Sequence, residues 1–416
     1  MIAHPGLRFA DHTVVVPLDH RRPDGETIEV FAREVVASDR AGDDLPWLLF
    51  LQGGPGGKSP RPPRAEGWIA HATRSHRVLL LDQRGTGRST PLSGRTISCG
   101  TTDAELAAYI GLLRADSIVA DAEILRQRVA GGATWDTLGQ SYGGFVTLSY
   151  LSQAPEGLRT CYITGGLPGL TATADDVYAR TYPRVAAKNA EYYRQFPGDA
   201  AALKRIYRHL TENDVRLPDG DRLTVDRFRL LGSDFGASSG FAALHWLLDE
   251  AWHDQDLSDT FRYEVMQRTA FVDKPLFALQ EYTYGQGAAT GWAAARAMER
   301  HPEFADPLLF TGEMMYPWMF REIRALRPFA GAADILAAKD DWTPLVDPAR
   351  LAANEVPVCA AVYADDMYVD MGLSLETAAA VGNVRTWVTN EYEHDGLRVS
   401  GTAVLEHLME MAAGLR

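Results

Sequence analysis

Ser141, an aspartate at position 365 or 366, and His394 have the types and the chain order that nucleophilic catalysis requires. A serine hydroxyl becomes a useful nucleophile only when an imidazole accepts its proton, and a carboxylate must orient that imidazole. The sequence therefore predicts a serine hydrolase. In this hypothesis Ser141 attacks a carbonyl carbon, His394 carries the proton, and one of the two aspartates holds the histidine.

The serine lies in the segment Gly139-Gln140-Ser141-Tyr142-Gly143, which has the G-x-S-x-G pattern of a sharp turn between a strand and a helix. Residues 133–138 predict the strand, and the apolar run 145–151 predicts the helix. Glycines are needed in such a turn because a Cβ would collide with neighbouring backbone. The pattern thus has the context that it needs to present a serine to a substrate.

A second glycine-rich segment, Gln52-Gly53-Gly54-Pro55-Gly56-Gly57, follows the apolar run 47–51. Acyl transfer builds negative charge on the carbonyl oxygen, and backbone N–H groups aimed at that oxygen stabilise it. We expect this oxyanion hole to use the N–H of Tyr142, which follows the nucleophile, and the N–H of Gly54.

The acid and the histidine each follow a predicted strand. Asp365 and Asp366 come directly after the strand 356–363, and His394 lies in the loop after the strand 384–388. Both placements suit side chains at the carboxyl edge of a sheet. Only one aspartate can point to His394, and spacing alone leaves both candidates open.

The remaining pattern predicts an α/β-hydrolase fold, a mostly parallel central sheet flanked by helices, with an inserted helical cap. The alternating segments 13–18 and 27–36 predict an antiparallel pair at one edge of the sheet, and the apolar runs 47–51 and 78–81 predict central strands. We expect the first part of the core at residues 1–166, the cap at 167–331, and the second part of the core at 332–416.

Composition narrows the possible partners and location. The chain has 416 residues, a hydrophobic content of 46% and a net charge of −14, which disfavours nucleic acid and anionic membranes as partners. The first residues lack the pattern of an export signal, and no apolar run is long enough to span a membrane, so we expect a cytoplasmic protein. Cys99, Cys161 and Cys359 are too few and too scattered for a disulfide framework or a zinc site.

Three motifs together resemble the prolyl aminopeptidases, also called proline iminopeptidases, and the length matches their larger type. They are the Gly-Gly-Pro-Gly loop at 53–56, the segment Asp82-Gln83-Arg84-Gly85-Thr86-Gly87-Arg88-Ser89, and Gly139–Gly144. The Asp-Gln-Arg-Gly-x-Gly-x-Ser segment is the most restrictive of the three, and it predicts a turn that braces the active-site loops rather than a phosphate site. Gln52 departs from the family, in which many members have a histidine at this position. The predicted preference for one substrate is therefore less specific than the predicted hydrolase activity.

The resemblance implies a serine aminopeptidase that releases an N-terminal residue, preferentially proline, from short peptides with a free N-terminus through an acyl-enzyme. It favours Asp366 as the acid because the separation from His394 matches the family, and no metal or organic cofactor is required. Cap carboxylates should pair with the substrate amine; the candidates are Glu313 and Glu281, with Tyr316 completing a Glu-x-x-Tyr segment.

Two alternatives remain open at this point. The same fold could act as a tripeptidyl aminopeptidase-like peptidase or an esterase, or it could be a catalytically silent binding protein, since fold alone does not decide function. The sequence leaves the oligomeric state open.

Overall fold

The computed structural model describes residues 2–95, 97 and 100–416, without the side chains of residues 2 and 3. A nine-stranded sheet forms its centre, in the spatial order β1-β2-β3-β5-β4-β6-β7-β10-β11. The strands of the described chain, including the small separate hairpin β8-β9, are β1 (Ile2–His4), β2 (Leu7–Pro17), β3 (Thr27–Ala37), β4 (Trp47–Leu51), β5 (Arg77–Leu81), β6 (Trp135–Gln140), β7 (Leu158–Thr164), β8 (Trp252–His253), β9 (Asp256–Leu257), β10 (Val358–Tyr363) and β11 (Val384–Thr389).

The strands from β5 to β11 in that spatial order are parallel, and β1, β2 and β3 extend the sheet in antiparallel fashion. This confirms the predicted α/β-hydrolase class. Burial alternates along the carboxyl-terminal half of β2, from Thr13 to Pro17, as the two-residue period predicted, whereas β4 and β5 are buried almost throughout. Helices on both faces explain that difference, because a covered strand can be apolar at every position.

Two apolar clusters cover the two faces of the sheet. Leu49, Leu51 and Leu79 belong to one cluster, and Leu48 and Phe50 to the other. The helices that belong to the amino-terminal part of the core are α1 (Gly67–Ala72), α2 (Asp103–Gly111), α3 (Ala115–Val129) and α4 (Tyr142–Gln153). Those that follow the cap are α14 (Pro348–Ala352), α15 (Met371–Ala380), α16 (Gly396–Val399) and α17 (Ala403–Ala412).

Helices dominate the segment between β7 and β10. They are α5 (Ala174–Gln195), α6 (Asp199–Glu212), α7 (Val225–Arg229), α8 (Gly240–Asp249), α9 (Asp259–Thr269), α10 (Pro275–Ala278), α11 (Ala293–Glu299), α12 (Met319–Glu322) and α13 (Ala330–Ala338). Their buried side chains, among them Leu336 of α13, form most of the third cluster, which also contains Leu106 and Ile110 from α2. We call the segment from α5 to α13 the cap. Its division from the core at residues 167 and 331 stays a prediction, and α2 of the core packs with the cap.

The topology brings the candidate residues to one edge of the sheet. Strands β4, β6, β10 and β11 are parallel, and the segments that follow them contain Gly54, Ser141, Asp366 and His394, in that order. In sheets of this kind ligands bind at the carboxyl ends of the strands.

The cysteines and the helices of the described residues bear on two predictions from composition. Cys161 and Cys359 are free and buried, and Cys99 lies outside the described residues. Among the residues that the structure covers, no helix has the length and apolarity needed to cross a membrane.

Candidate active site

Ser141 occupies a tight turn between β6 and α4. Its backbone has φ +54° and ψ −123°, a conformation that a residue with a side chain rarely adopts. The Ser141 N–H donates to the Thr164 carbonyl at 2.9 Å, and the Ser141 carbonyl accepts from the Gly144 N–H at 2.7 Å. A Cβ on Gly143 would lie 1.9 Å from the Leu51 carbonyl oxygen, so this position of the motif needs glycine.

Asp366 contacts His394 directly. Its Oδ2 lies 2.6 Å from His394 Nδ1, and the aspartate is only 2% exposed. Asp366 Oδ1 accepts from the backbone N–H groups of Tyr368 at 2.8 Å and Val369 at 3.1 Å. A carboxylate on Nδ1 leaves the other ring nitrogen, Nε2, to accept a proton.

The neighbouring aspartate faces elsewhere. Asp365 is exposed, and its carboxylate lies 3.7 Å from the guanidinium of Arg184 in the cap helix α5. Of the two aspartates that spacing left open, Asp366 is therefore the one with the geometry of a histidine partner.

The environment of His394 favours its protonated form. Burial lowers the pKa of the imidazole, but the charge of Asp366 and its hydrogen bond outweigh burial and raise the pKa above its usual value. The Tyr368 ring packs nearly perpendicular to the imidazole, with ring centroids 4.8 Å apart. Tyr368 was not predicted from the sequence, although its place two residues after the acid was a usable hint.

The predicted oxyanion loop runs against the serine. A Cβ on Gly53 would lie 2.8 Å from the Ser141 Cβ, and Gly54 has a φ of +124°. Tyr142 is the first residue of α4, so its N–H has no acceptor one turn earlier in the helix. The glycine loop and the N–H of Tyr142 therefore lie beside the nucleophile, and their use as an oxyanion hole stays a prediction.

The Asp-Gln-Arg segment supports this loop. Gln83 Nε2 donates to the Gln52 carbonyl at 2.8 Å, and Asp82 accepts from the Ser59 N–H at 3.0 Å. Arg84 is buried and forms a two-pronged ion pair with Asp121 at 2.7 and 2.6 Å. Its charge is thus satisfied within the fold, as expected of a structural turn rather than a phosphate site.

A cavity of about 300 Å³ joins the core residues to the cap. Ser141, His394 and Gly54 line it from the core, and Glu313 lines it from the cap. Glu313 is partly exposed to this space, and burial raises its carboxyl pKa to about 7. A carboxyl group in such a site ionises readily when a cation binds beside it.

The other two predicted cap residues do not line this cavity. Glu281 is buried and accepts from the backbone N–H groups of Ala293 at 3.0 Å and Ala294 at 2.9 Å, at the start of α11. Tyr316 donates to or accepts from Tyr182 at 3.1 Å and lines a separate cavity within the cap. In this structure Glu281 caps a helix, and Tyr316 packs inside the cap.

We predict that Glu281 stabilises the cap. Glu281→Ala should lower the free energy of unfolding by about 2–4 kcal/mol, because two buried N–H groups lose their acceptor. Glu281→Gln should lose less, since the amide keeps one oxygen acceptor. Urea unfolding, monitored by tryptophan fluorescence, measures the free energy of unfolding of each variant. A loss below about 0.5 kcal/mol in the alanine variant would contradict this structural role.

Cap residues also hold the histidine loop at three consecutive positions. The side chain of Glu393 pairs with the buried Lys188 of α5, and the His394 N–H donates to the Gly236 carbonyl at 3.0 Å. Asp395 Oδ1 accepts from the Ser238 Oγ at 2.7 Å and from the Ser238 N–H at 3.1 Å. Sequence reasoning missed these contacts because their partners are more than 150 residues apart and carry no local pattern.

The described residues contain no group of three or more histidine, cysteine, aspartate or glutamate side chains placed to hold a metal ion.

Comparison with known proteins identifies the family. Residues 46–397 match the family described as the alpha/beta hydrolase fold. The chain is 47% identical to "Proline iminopeptidase" of Aeromonas sobria over 412 residues, which cover 98% of this chain and 97% of that protein. It is 33% identical to "Proline iminopeptidase aneH" of Aspergillus aculeatus, with 98% of this chain and 94% of that protein covered. The chain therefore belongs to the proline iminopeptidase family of α/β-hydrolases.

Proposed function

We propose that this protein is a serine aminopeptidase that releases an N-terminal residue, preferentially proline, from short peptides. The observation that carries the proposal is that Ser141, His394 and Glu313 line one cavity, so a nucleophile, a base and an amine-binding carboxylate face the same substrate. The names of its two near full-length relatives support the same activity.

In the proposed reaction His394 accepts the Ser141 proton as the hydroxyl oxygen attacks the carbonyl carbon of the first residue. The N–H groups of Gly54 and Tyr142 donate to the oxyanion that forms. The C–N bond then breaks, the leaving amine takes the proton from His394, and the first residue stays on Ser141 as an ester. Water, deprotonated by His394, hydrolyses that ester and frees the amino acid. Asp366 holds the imidazole in its working orientation throughout.

Glu313 supplies the proposed recognition of the free N-terminus. The protonated amine of a first residue is a cation, and a carboxylate that is partly shielded from water pairs with it more strongly than an exposed one. Gly312, Met314 and Met315 are buried beside Glu313 and line the same cavity. An apolar wall next to a carboxylate suits a pyrrolidine ring, which is apolar except for its charged nitrogen.

Hydrolysis of arylamides separates this proposal from the other hydrolase activities. We expect the arylamide of free proline to be cleaved at least tenfold faster, in kcat/KM, than that of free alanine and that of a tripeptide, because the apolar wall beside Glu313 suits one cyclic residue. Faster cleavage of the tripeptide arylamide would support a tripeptidyl peptidase, and cleavage of simple esters alone would support an esterase.

Labelling with a fluorophosphonate probe tests the alternative of a silent binding protein. Such probes react with an activated serine, so we expect labelling of the native protein and none of Ser141→Ala. A native protein that stays unlabelled would favour the binding protein.

The pH dependence should report two groups. As the pH falls, protonation removes both the base form of His394, whose pKa is raised above its usual value, and the negative charge of Glu313, whose pKa is about 7. Log kcat/KM for the proline arylamide should therefore rise with pH at a slope steeper than one on the acid side. In Glu313→Gln only His394 remains, and the slope should fall to one. Equal slopes in the two proteins would contradict the role of Glu313.

The cap contacts to the histidine loop should affect turnover more than binding. Ser238→Ala removes the hydroxyl that donates to Asp395, and we expect kcat to fall about three- to tenfold with little change in KM, because His394 is less well positioned. Ser239→Ala is a matched control, since Ser239 is exposed and its side chain caps no helix. A fall in the melting temperature without a fall in kcat would show that the contact only stabilises the fold.

A further inference from the structure

The cavity that contains Ser141 is lined by both buried and solvent-exposed residues. We take the buried residues Gly312, Met314 and Met319 as its closed end. Lys274, directly before α10, and Arg398, in α16, line the same cavity and are exposed to solvent. The rim that faces solvent therefore carries two positive side chains, one from the cap and one from the histidine side of the core.

These two cations are unpaired within the described part of the chain. Neither Lys274 nor Arg398 forms an ion pair within 4 Å there, although the charge of Lys274 acts at longer range to lower the carboxyl pKa of Glu313 and of Asp234. The Lys274 ammonium lies 4.8 Å from the centroid of the Phe277 ring. Arg268, a third cation on this cavity, is engaged instead: it contacts Glu264 at 2.9 Å and Asp234 at 3.6 Å. Lys274 and Arg398 are thus available to an anion that enters the cavity.

Their position is unusual for a protein of this charge. The chain carries a net charge of −14, so its general field repels anions. Exposed cations on such a surface are ordinarily solvated and have no special role. A pair at the mouth of the Ser141 cavity offsets that repulsion at the place where the substrate enters.

The direction of the substrate follows from the chemistry of an aminopeptidase. Nothing precedes the first residue, so this residue fills the closed end with its amine at Glu313, and the rest of the peptide runs from Ser141 to the rim. One or two residues beyond the cleaved bond span about 3.5–7 Å. The free α-carboxylate of a dipeptide or tripeptide thus lies within about 7 Å of the cleaved bond, in the same cavity that Lys274 and Arg398 line.

We propose that Lys274 and Arg398 form a subsite for the C-terminal α-carboxylate of di- and tripeptide substrates. This inference rests on the proposed function and narrows its substrate class to short peptides with both termini free. An arginine guanidinium can donate two parallel hydrogen bonds to a carboxylate, and a lysine adds a mobile positive charge. Glu313 at one end and the two cations at the other would match the opposite charges of a zwitterionic peptide.

The test compares the dipeptide prolyl-glycine with its C-terminal amide, which lacks the negative charge. We expect the native protein to cleave the free dipeptide with a kcat/KM about three- to tenfold higher than the amide, the range between an exposed ion pair and a charge-assisted hydrogen bond. The double variant Lys274→Met, Arg398→Met should bring this ratio to about one. Lys204→Met, which removes an exposed cation of α6 that does not line the cavity, should leave the ratio unchanged.

The proline arylamide provides the internal control because it has no carboxylate. At about pH 8.5, where Glu313 is ionised with or without the charge of Lys274, its cleavage by the double variant should stay within about twofold of the native value. A native ratio near one, or a ratio that persists in the double variant, would overturn the subsite while leaving the aminopeptidase intact. If the native protein cleaved neither the arylamide nor the dipeptides, the proposed function would fail and the subsite with it.

Discussion

Replacing Ser141 with alanine should lower kcat for the proline arylamide by roughly 10⁴-fold or more, the loss typical of a removed triad nucleophile. The hydroxyl is the atom that attacks, and no neighbouring group can substitute for it. The fold should tolerate the change, because the Ser141 backbone N–H still donates to Thr164 and the small side chain fits the same turn. Steady-state kinetics measures the loss of kcat, and a circular dichroism spectrum of the variant shows whether it is folded.

A pair of adjacent aspartate variants gives this prediction a matched control. Asp366→Asn should lose roughly 10³- to 10⁴-fold in kcat, since an amide in place of the carboxylate on His394 Nδ1 no longer stabilises the imidazolium. Asp365→Asn should retain nearly full activity, because that side chain is exposed and points to Arg184. The reverse pattern would assign the acid to Asp365 and contradict the geometry described above.

Glu313→Gln should have the largest effect outside the catalytic triad, and this effect should depend on the substrate. We expect kcat/KM for the free proline arylamide to fall about 30- to 100-fold, the loss of one charge-assisted interaction of about 2–3 kcal/mol. The N-acetylated proline arylamide carries no charged amine, so its slow cleavage should be unchanged or should rise. The measurement is the ratio of the two rates in native and variant protein.

The control for this effect is Glu281, the other cap glutamate proposed from the sequence. Glu281→Gln should leave the ratio of free to acetylated substrate unchanged, because Glu281 caps α11 and does not line the Ser141 cavity. Loss of discrimination in Glu281→Gln but not in Glu313→Gln would transfer the amine site to Glu281 and contradict our assignment.

The hydrophobic pattern and the turn residues predicted the strands and helices whose formation depends mainly on neighbouring residues in the sequence. The apolar run 47–51 coincides with β4, and the helix predicted to start near Phe145 begins at Tyr142, because the nucleophile turn leads directly into it. The antiparallel pair β2-β3 was predicted from alternation and the intervening turn. Its strands are longer than predicted, since pairing along β2 extends to Leu7.

The roles of the cap residues could not be read from the sequence in the same way. The three predicted cap residues lie in segments of similar composition, rich in aromatic residues. Of Glu281, Glu313 and Tyr316, only Glu313 lines the Ser141 cavity. What separates them is the path of the cap chain over the core, which depends on many weak long-range contacts. The pairing of Lys188 with Glu393 is another such contact, between residues 205 positions apart.

The most direct test of the central claim is the ratio of kcat/KM for the free proline arylamide to that for its N-acetylated counterpart, measured with the native protein. An enzyme that binds the charged N-terminus of its substrate through Glu313 should show a ratio of about 100 or more. Cleavage of the free substrate should be abolished in Ser141→Ala. A ratio near or below one would leave a serine hydrolase but contradict an aminopeptidase with an amine site at Glu313.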